Sequence, residues 1–224
     1  MSTSVDHAIT RAEHGAATRE RLLDAAEALF AAKGFAGASI RDITTAAECN
    51  LAAVNYHFGG KSGLYREVFR RRLAVLRDQR VGSVRRFLAK GRTPPALETV
   101  LHEFAKVFLE PFVETGCGRV LIDLWAREML DPQLPRGTFE HEIVEPVQQV
   151  LAEAVEAAIP TLSTATARLC VVSIVSQLVQ VAQRARWAEL TGTPDGGTSR
   201  LEHVVRHVVR FSAGGVRACS TGAR

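Results

Sequence analysis

The stretch ASIRDITTAAECNLAAVNYHFGGKSGLYREVF, residues 38–69, decides the fold. Ser39 followed three positions later by Asp42 approximates a capping box, and Ile40, Ile43 and Ala47 supply the inner face of a short helix ending near Ala47. Asn50 stands where it can cap a second helix over residues 51–58, in which Val54 and Phe58 lie four apart and face inward. Two helices joined by a turn of three or four residues form a helix-turn-helix unit. After Phe58 the pair Gly59-Gly60 makes a tight turn. A long helix begins near Lys61, with Leu64, Val68, Phe69, Leu73 and Leu76 at helical spacing.

Outward from this stretch the same periodicity continues and strand signals are nearly absent, so the fold class is all-α. Upstream, residues 18–33 read as a helix: Thr18 suits the N-cap, Leu22, Ala26, Leu29 and Phe30 make one apolar face, and Gly34 suits a left-handed end that lets Phe35 fold back beneath. Downstream, residues 91–95 break the long helix. The next helix carries Leu97, Val100, Leu101, Phe104, Val107 and Phe108 on one side. Further helices are expected over about 118–130, 139–158, 162–190 and 198–212, with Pro146 kinking or restarting the second of these and residues 191–199 forming a loop. The organisation expected is a flexible arm (1–17), a three-helix helix-turn-helix domain (18–65), a larger helical bundle (66–215) and a flexible tail (216–224).

Composition narrows the function classes. With 46% hydrophobic and 23% charged residues in 224, the chain has a globular balance and apolar surface enough for a sizeable core. The longest apolar run, residues 169–182, is interrupted by Ser173, Ser176, Gln177 and Gln180, so no membrane span is expected; the N-terminus lacks an apolar signal core, which points to the cytoplasm. Cys49, Cys117, Cys170 and Cys219 are isolated, with no C-x-x-C pair. Residues 1–92 carry 16 Lys and Arg against 9 Asp and Glu, whereas 93–224 carry 12 against 15. A basic N-terminal part on an acidic body suits a nucleic-acid-binding module joined to something with another task.

The second helix of the motif presents Leu51, Ala52, Asn55 and Tyr56 outward, a face small enough to enter a major groove. Ala52 permits close approach and contact with a thymine methyl, while Asn55 can bond an adenine edge through both ends of its amide. Arginines on the following helix, Arg66, Arg70, Arg71, Arg72 and Arg77, read as solvated charge. Other chemistries find little support. Gly60-Lys61-Ser62 resembles the end of a phosphate loop, but Asn55 occupies the place of its first glycine and no strand precedes it. Glu-x-x-His and H-E-x-x-H are absent; His203 and His207, four apart, lack suitably spaced acidic or cysteine partners, so no metal and no cofactor are expected.

Residues 38–69, together with the spacing from Phe35 to Ser39, the Tyr56-His57-Phe58 helix end and Lys61 with Leu64-Tyr65, resemble the TetR family of bacterial transcriptional regulators. GRVLIDLWAREMLDP (118–132) and the Glu-Pro-Val segment at 145–147 resemble the ligand and dimer domain of its YbiH/CerR-type subgroup. The resemblance implies that Tyr56, His57 and Lys61 contact phosphates, assisted by Thr44 and by the partial positive charge of a helix N-terminus. Ser39, Asn50, Leu51, Ala52, Ala53 and Asn55 complete the candidate DNA-facing set. Two positions depart from the family pattern. Glu48-Cys49 replaces a small residue followed by Val in the turn, at a cost of ~1 kcal/mol if Glu48 is left-handed, and Leu51 replaces a hydroxyl or basic residue.

The resemblance further implies a homodimeric repressor released from an inverted-repeat operator by a small-molecule effector, with activation as the alternative and an all-helical enzyme as a distant third. The last two helices carry more apolar circumference than one core face needs, which suits a four-helix dimer interface. Candidate lining for the effector pocket is Phe104, Phe108, Leu121, Trp125, Met129, Cys170, Ser173 and Gln177, bulky apolar residues mixed with a few polar ones in helical patterns.

Overall fold

A computed structural model describes the backbone of residues 3–90, 95–113, 117–191 and 197–221, and the side-chain environments of 14–89, 95–111, 120, 123–184 and 202–220. The described elements are helical throughout: α1 (Thr3–Gly37), α2 (Ile40–Ala46), α3 (Leu51–Phe58), α4 (Lys61–Lys90), α5 (Leu97–Val113), α6 (Cys117–Leu130), α7 (Glu145–Ala158), α8 (Thr164–Thr191) and α9 (Gly197–Thr221). A π-helical turn, Glu140–Val144, runs directly into α7, whose second residue is Pro146. The expected fresh start at Pro146 does not occur: Phe139, Val144 and Glu145 all keep right-handed helical backbone, and the π-helical turn just before the proline is where the regular helix is disturbed. The break expected at 91–94 and most of the loop expected at 191–199 lie outside the described residues.

Two boundaries move. α1 begins at Thr3 rather than at Thr18, so residues assigned to an arm are helical, and α9 runs on to Thr221 through residues assigned to a tail. Gly34, expected to end the first helix, interrupts α1 with φ 73° and ψ 178°.

The chain forms two compact units that are not contiguous in sequence: residues 1–73 with 119–138, and residues 74–118 with 139–224. In the first unit Leu22, Ala26 and Phe30 of α1, Ile43 of α2, Val54 of α3 and Leu64, Val68 and Phe69 of α4 are fully buried. Phe30, Phe35 and Phe69 gather around Tyr65, whose ring centroid lies 4.9–5.1 Å from each of theirs. The second unit is a bundle in which α5 packs on α8 and α9, and α7 on α8, around Phe104, Leu151, Val155, Val171 and Leu178.

The segment at 119–138 joins the first unit through specific bonds. Arg127 on α6 donates from Nε to the Ala31 carbonyl at 2.9 Å and from Nη2 to the Ala32 carbonyl at 2.7 Å. These carbonyls lie just before the break at Gly34, where the helix leaves acceptors without partners and favours a cation. Beside it, buried Glu128 accepts the Tyr65 hydroxyl at 3.0 Å on one oxygen and the Gln133 and Leu134 amides, at 2.9 and 2.7 Å, on the other. Burial, and then the Glu128 bond, push the Tyr65 phenol well above its ordinary pKa, so it donates and does not ionise.

Of the α4 arginines expected to be solvated, Arg66 and Arg70 are exposed, but Arg71 and Arg72 are not. Arg72 bonds buried Glu27 of α1 through Nε at 2.7 Å and again through Nη2; Arg71 reaches Glu27 at 2.8 Å, Asp24 at 2.8 Å and Glu20 at 3.2 Å. Arg70 and Arg19 both pair with Glu67. Sequence periodicity places these residues on the polar side of each helix; only the α1–α4 packing shows that the two polar sides meet. Glu27→Ala leaves two partly buried guanidinium groups without their shared acceptor. The expected loss of stability, read from urea unfolding, falls between ~1 kcal/mol for an exposed pair and ~3–5 kcal/mol for a buried one, whereas a loss of a few tenths would show that the network contributes little.

Candidate nucleic-acid interface

The two motif helices are held by caps at every end. Ser39 Oγ accepts from the Asp42 amide at 3.0 Å, and Asn50 Oδ1 accepts from the Ala53 amide at 3.0 Å, each satisfying an otherwise orphaned first-turn donor. At the far end of α3, left-handed Gly59 (φ 69°) donates its N–H to the Asn55 carbonyl at 3.0 Å. Glu48 in the turn has φ 51°, the positive value that the sequence put at issue and the sole non-glycine case among the described residues. Cys49 compensates locally: its thiol donates to the Ala47 carbonyl at 3.1 Å while Arg21 reaches its sulfur at 3.8 Å.

A residue the sequence reading passed over sets the angle between α3 and α4. A Cβ built on Gly63 would lie 1.8 Å from the Phe58 carbonyl oxygen, far inside contact distance. Only glycine lets the first turn of α4 rest against the end of α3. Its place in the ordinary-looking string Lys61-Ser62-Gly63 hides this, because the contact spans a turn and has no periodic signature.

With Val54 and Phe58 buried, α3 turns Leu51 (53% exposed), Ala52, Asn55 and Tyr56 (85% exposed) to solvent. Ala53 and His57 are half-buried, and the His57 ring lies edge-on to Tyr56 with centroids 4.9 Å apart. Lys61, at the N-terminus of α4, rests its ammonium 4.5 Å from the centroid of Phe35. These residues form one continuous surface. Thr44 does not belong to it: the residue is buried and its hydroxyl donates to the Arg41 carbonyl at 3.1 Å, while Arg41 and Thr45 are the exposed neighbours on α2. Ser39 and Asn50 are exposed, yet their side-chain oxygens are committed to capping.

The effector-pocket candidates are divided between the two units. Phe104 and Phe108 are buried neighbours, with centroids 5.8 Å apart in the second unit. On α8 of that unit, Cys170 is half-buried, Ser173 is exposed and bonds back to the Leu169 carbonyl at 3.1 Å, and Gln177 reaches Ser212 of α9 at 3.3 Å. Trp125 (half-buried) and Met129 (60% exposed) belong to the first unit, and the Leu121 side chain lies outside the described residues. The mixed polar and apolar pattern that suggested a lining arises on α8 from hydroxyls turned back onto their own helix. His203 and His207 line an open groove of about 490 Å³ on α9 with Arg206, Arg210 and Phe211, and no cluster of three or more metal-binding side chains occurs among the described residues.

A capped helix pair presenting a small, polar, exposed face beside a basic helix N-terminus is a helix-turn-helix fold of the DNA-binding class. Comparison with known proteins agrees. Residues 22–68 match the model described as bacterial regulatory proteins, tetR family, and residues 96–216 match the C-terminal domain of the HTH-type transcriptional dual regulator CecR. A 47-residue segment is 43% identical to the probable HTH-type transcriptional regulator YttP of Bacillus subtilis, covering 21% of this chain and 23% of that protein. Among solved structures, a TetR-family regulator from Mesorhizobium loti superposes with a TM-score of 0.70 at 21% identity, over 89% of this chain and 96% of that one. A regulator from Saccharomonospora viridis, solved in complex with choline, superposes with a TM-score of 0.62 at 19% identity, over 86% and 94% of the two chains. The chain belongs to the TetR family and is a DNA-binding transcriptional regulator.

Two substitutions test the local geometry. Glu48→Gly removes the left-handed penalty and is expected to stabilise the fold by up to about 1 kcal/mol. Gly63→Ala forces α3 and α4 apart, lowering both the unfolding midpoint and DNA affinity. Equal stability of Gly63→Ala and the parent in thermal unfolding would contradict the close approach.

Proposed function

We propose that this regulator is a homodimeric repressor that reads an inverted-repeat operator through α3 and releases it when a small molecule binds the second unit. The observation that carries the DNA-reading part is the exposed α3 face between the capping residues and Lys61, where the Asn55 side chain makes no hydrogen bond among the described residues and Ala52 is exposed beside it. In this reading Asn55 bonds a base edge, Leu51 and Ala52 make apolar base contacts, and Tyr56, His57 and Lys61 hold phosphates, with Arg41 and Thr45 on α2 available to the backbone. Thr44 drops out because it is buried.

Dimerisation through α8 and α9 is supported by apolar side chains the single chain leaves open: Leu169 (70% exposed), Val172 (44%) and Phe211 (67%). The segment Thr164–Arg184 of α8 is long and apolar enough by length and composition to cross a membrane. Covering such a face with its twofold copy accounts for the surplus without a bilayer, and the reading places the protein in the cytoplasm. The matched model's description as a dual regulator favours activation at some promoters as a second reading.

Selection of bound duplexes from a random pool is expected to yield an inverted repeat, and light scattering a dimer at micromolar concentration; a monomer, or a selected site without twofold symmetry, contradicts the proposal. Within the motif, Lys61→Ala is expected to weaken binding to selected and scrambled duplexes alike and to reduce the slope of log affinity against log salt by roughly 1 per site. Asn55→Ala is expected to cost ~1–3 kcal/mol on the selected duplex alone. Equal losses on both duplexes would remove Asn55 from base reading.

A further inference from the structure

Burying a guanidinium is unfavourable unless an anion meets it. Arg71 and Arg72 satisfy that condition by converging on Glu27. Arg80, on α4 in the second unit, does not. It lies one turn after Leu76 and one before Val84, both buried, and is itself only 6% exposed. Its Nη2 makes a 3.4 Å bond to the Phe108 carbonyl, at the long edge of hydrogen bonding, and its buried Nε has no partner. No acidic side chain pairs with it among the described residues, and burial alone pushes its pKa down to about 10. Its guanidinium carbon sits 3.9 Å from the Phe108 ring centroid. Stacking on an aromatic ring returns less than desolvating the charge costs. As a packing device Arg80 is therefore a net burden that an apolar side chain of the same length would avoid.

We propose that Arg80 is the anion-binding group of the effector site and that the effector is a monocarboxylate with an apolar body. Its carboxylate takes the unpartnered Nε–H of Arg80 together with the weakly bonded Nη2, and its body meets the aromatic side formed by Phe108 and Phe104. The planar fork of donors matches a carboxylate in bidentate geometry. A single guanidinium carries one positive charge and so suits a monoanion better than a phosphate dianion. The inference rests on the reading of the chain as an effector-controlled regulator and names the class of that effector.

The test is thermal unfolding of the full chain with octanoate, phenylacetate and benzoate, each beside its primary amide, in the parent, Arg80→Met and Arg80→Lys. At least one carboxylate is expected to raise the parent's Tm while its amide does not. The affinity for that carboxylate should fall about 10- to 100-fold in Arg80→Met, the range expected for a charge-assisted bond, with a smaller fall in Arg80→Lys. Arg80→Met alone should unfold at the parent's temperature or above, because an uncompensated charge has been removed. Equal stabilisation by the amides, no response of the parent to any of the three acids, an undiminished response in Arg80→Met, or failure of that variant to fold would each overturn the proposal. Adding the acids to the parent bound to its selected duplex separates the two readings. Absence of duplex binding defeats the regulatory reading and leaves the thermal result standing; duplex binding with no selective carboxylate response defeats only the inference.

Discussion

An eight-residue helix does not persist alone in water, since nucleating a turn costs more than so few hydrogen bonds return. α3 exists in place because the chain supplies from outside what it lacks within. Val54 and Phe58 drive its inner face into the core between α1 and α4, Asn50 caps its start, Gly59 closes its end, and Gly63 lets α4 press against its last carbonyl. Its outer face is then left with no structural task. The freedom of Ala52, Asn55 and Tyr56 to meet DNA follows from how completely the other face and both ends are committed.

The support around α3 reaches well beyond the motif. Glu27 gathers Arg71 and Arg72, fixing α1 against α4, and the Tyr65–Glu128 and Arg127–Ala31/Ala32 bonds draw residues 119–138 into the same unit. Arg127 and Glu128 sit side by side on α6, so one turn of helix holds both the end of α1 and the start of α4. A displacement of that turn would act on the two helices that carry α2 and α3. Under the proposed function, linkage then requires that any ligand favouring one arrangement of this turn alters DNA affinity, and that DNA alters that ligand's affinity by the same factor.

Local signals made much of this readable in the sequence. The caps at Ser39 and Asn50 and the inward pair Val54 and Phe58 each depend on residues within a few positions of one another, and the structure has them as read. What escaped depends on distant partners. Thr44 looked like a surface threonine because its neighbours are polar, yet it faces inward. Arg71 and Arg72 looked solvated because their acceptor lies some 45 residues upstream. Residues 119–138 looked like part of the second domain because they follow α5 in the chain, and the pocket candidates were drawn from a pattern that on α8 reflects serines bonding their own helix. Arg80 gave no signal at all, since a lone arginine in a basic helix is unremarkable until its surroundings are known.

The central claim is that the exposed face of α3 and the N-terminus of α4 are the surface that meets DNA. Amide resonances followed by NMR during titration with the selected duplex test it most directly. The account predicts that the largest shifts fall on residues 51, 52, 55, 56 and 61, with residues 54 and 58 and those of α7 little changed. Shifts centred on α8 and α9, or their absence from residues 51–61 while the duplex is bound, would contradict it.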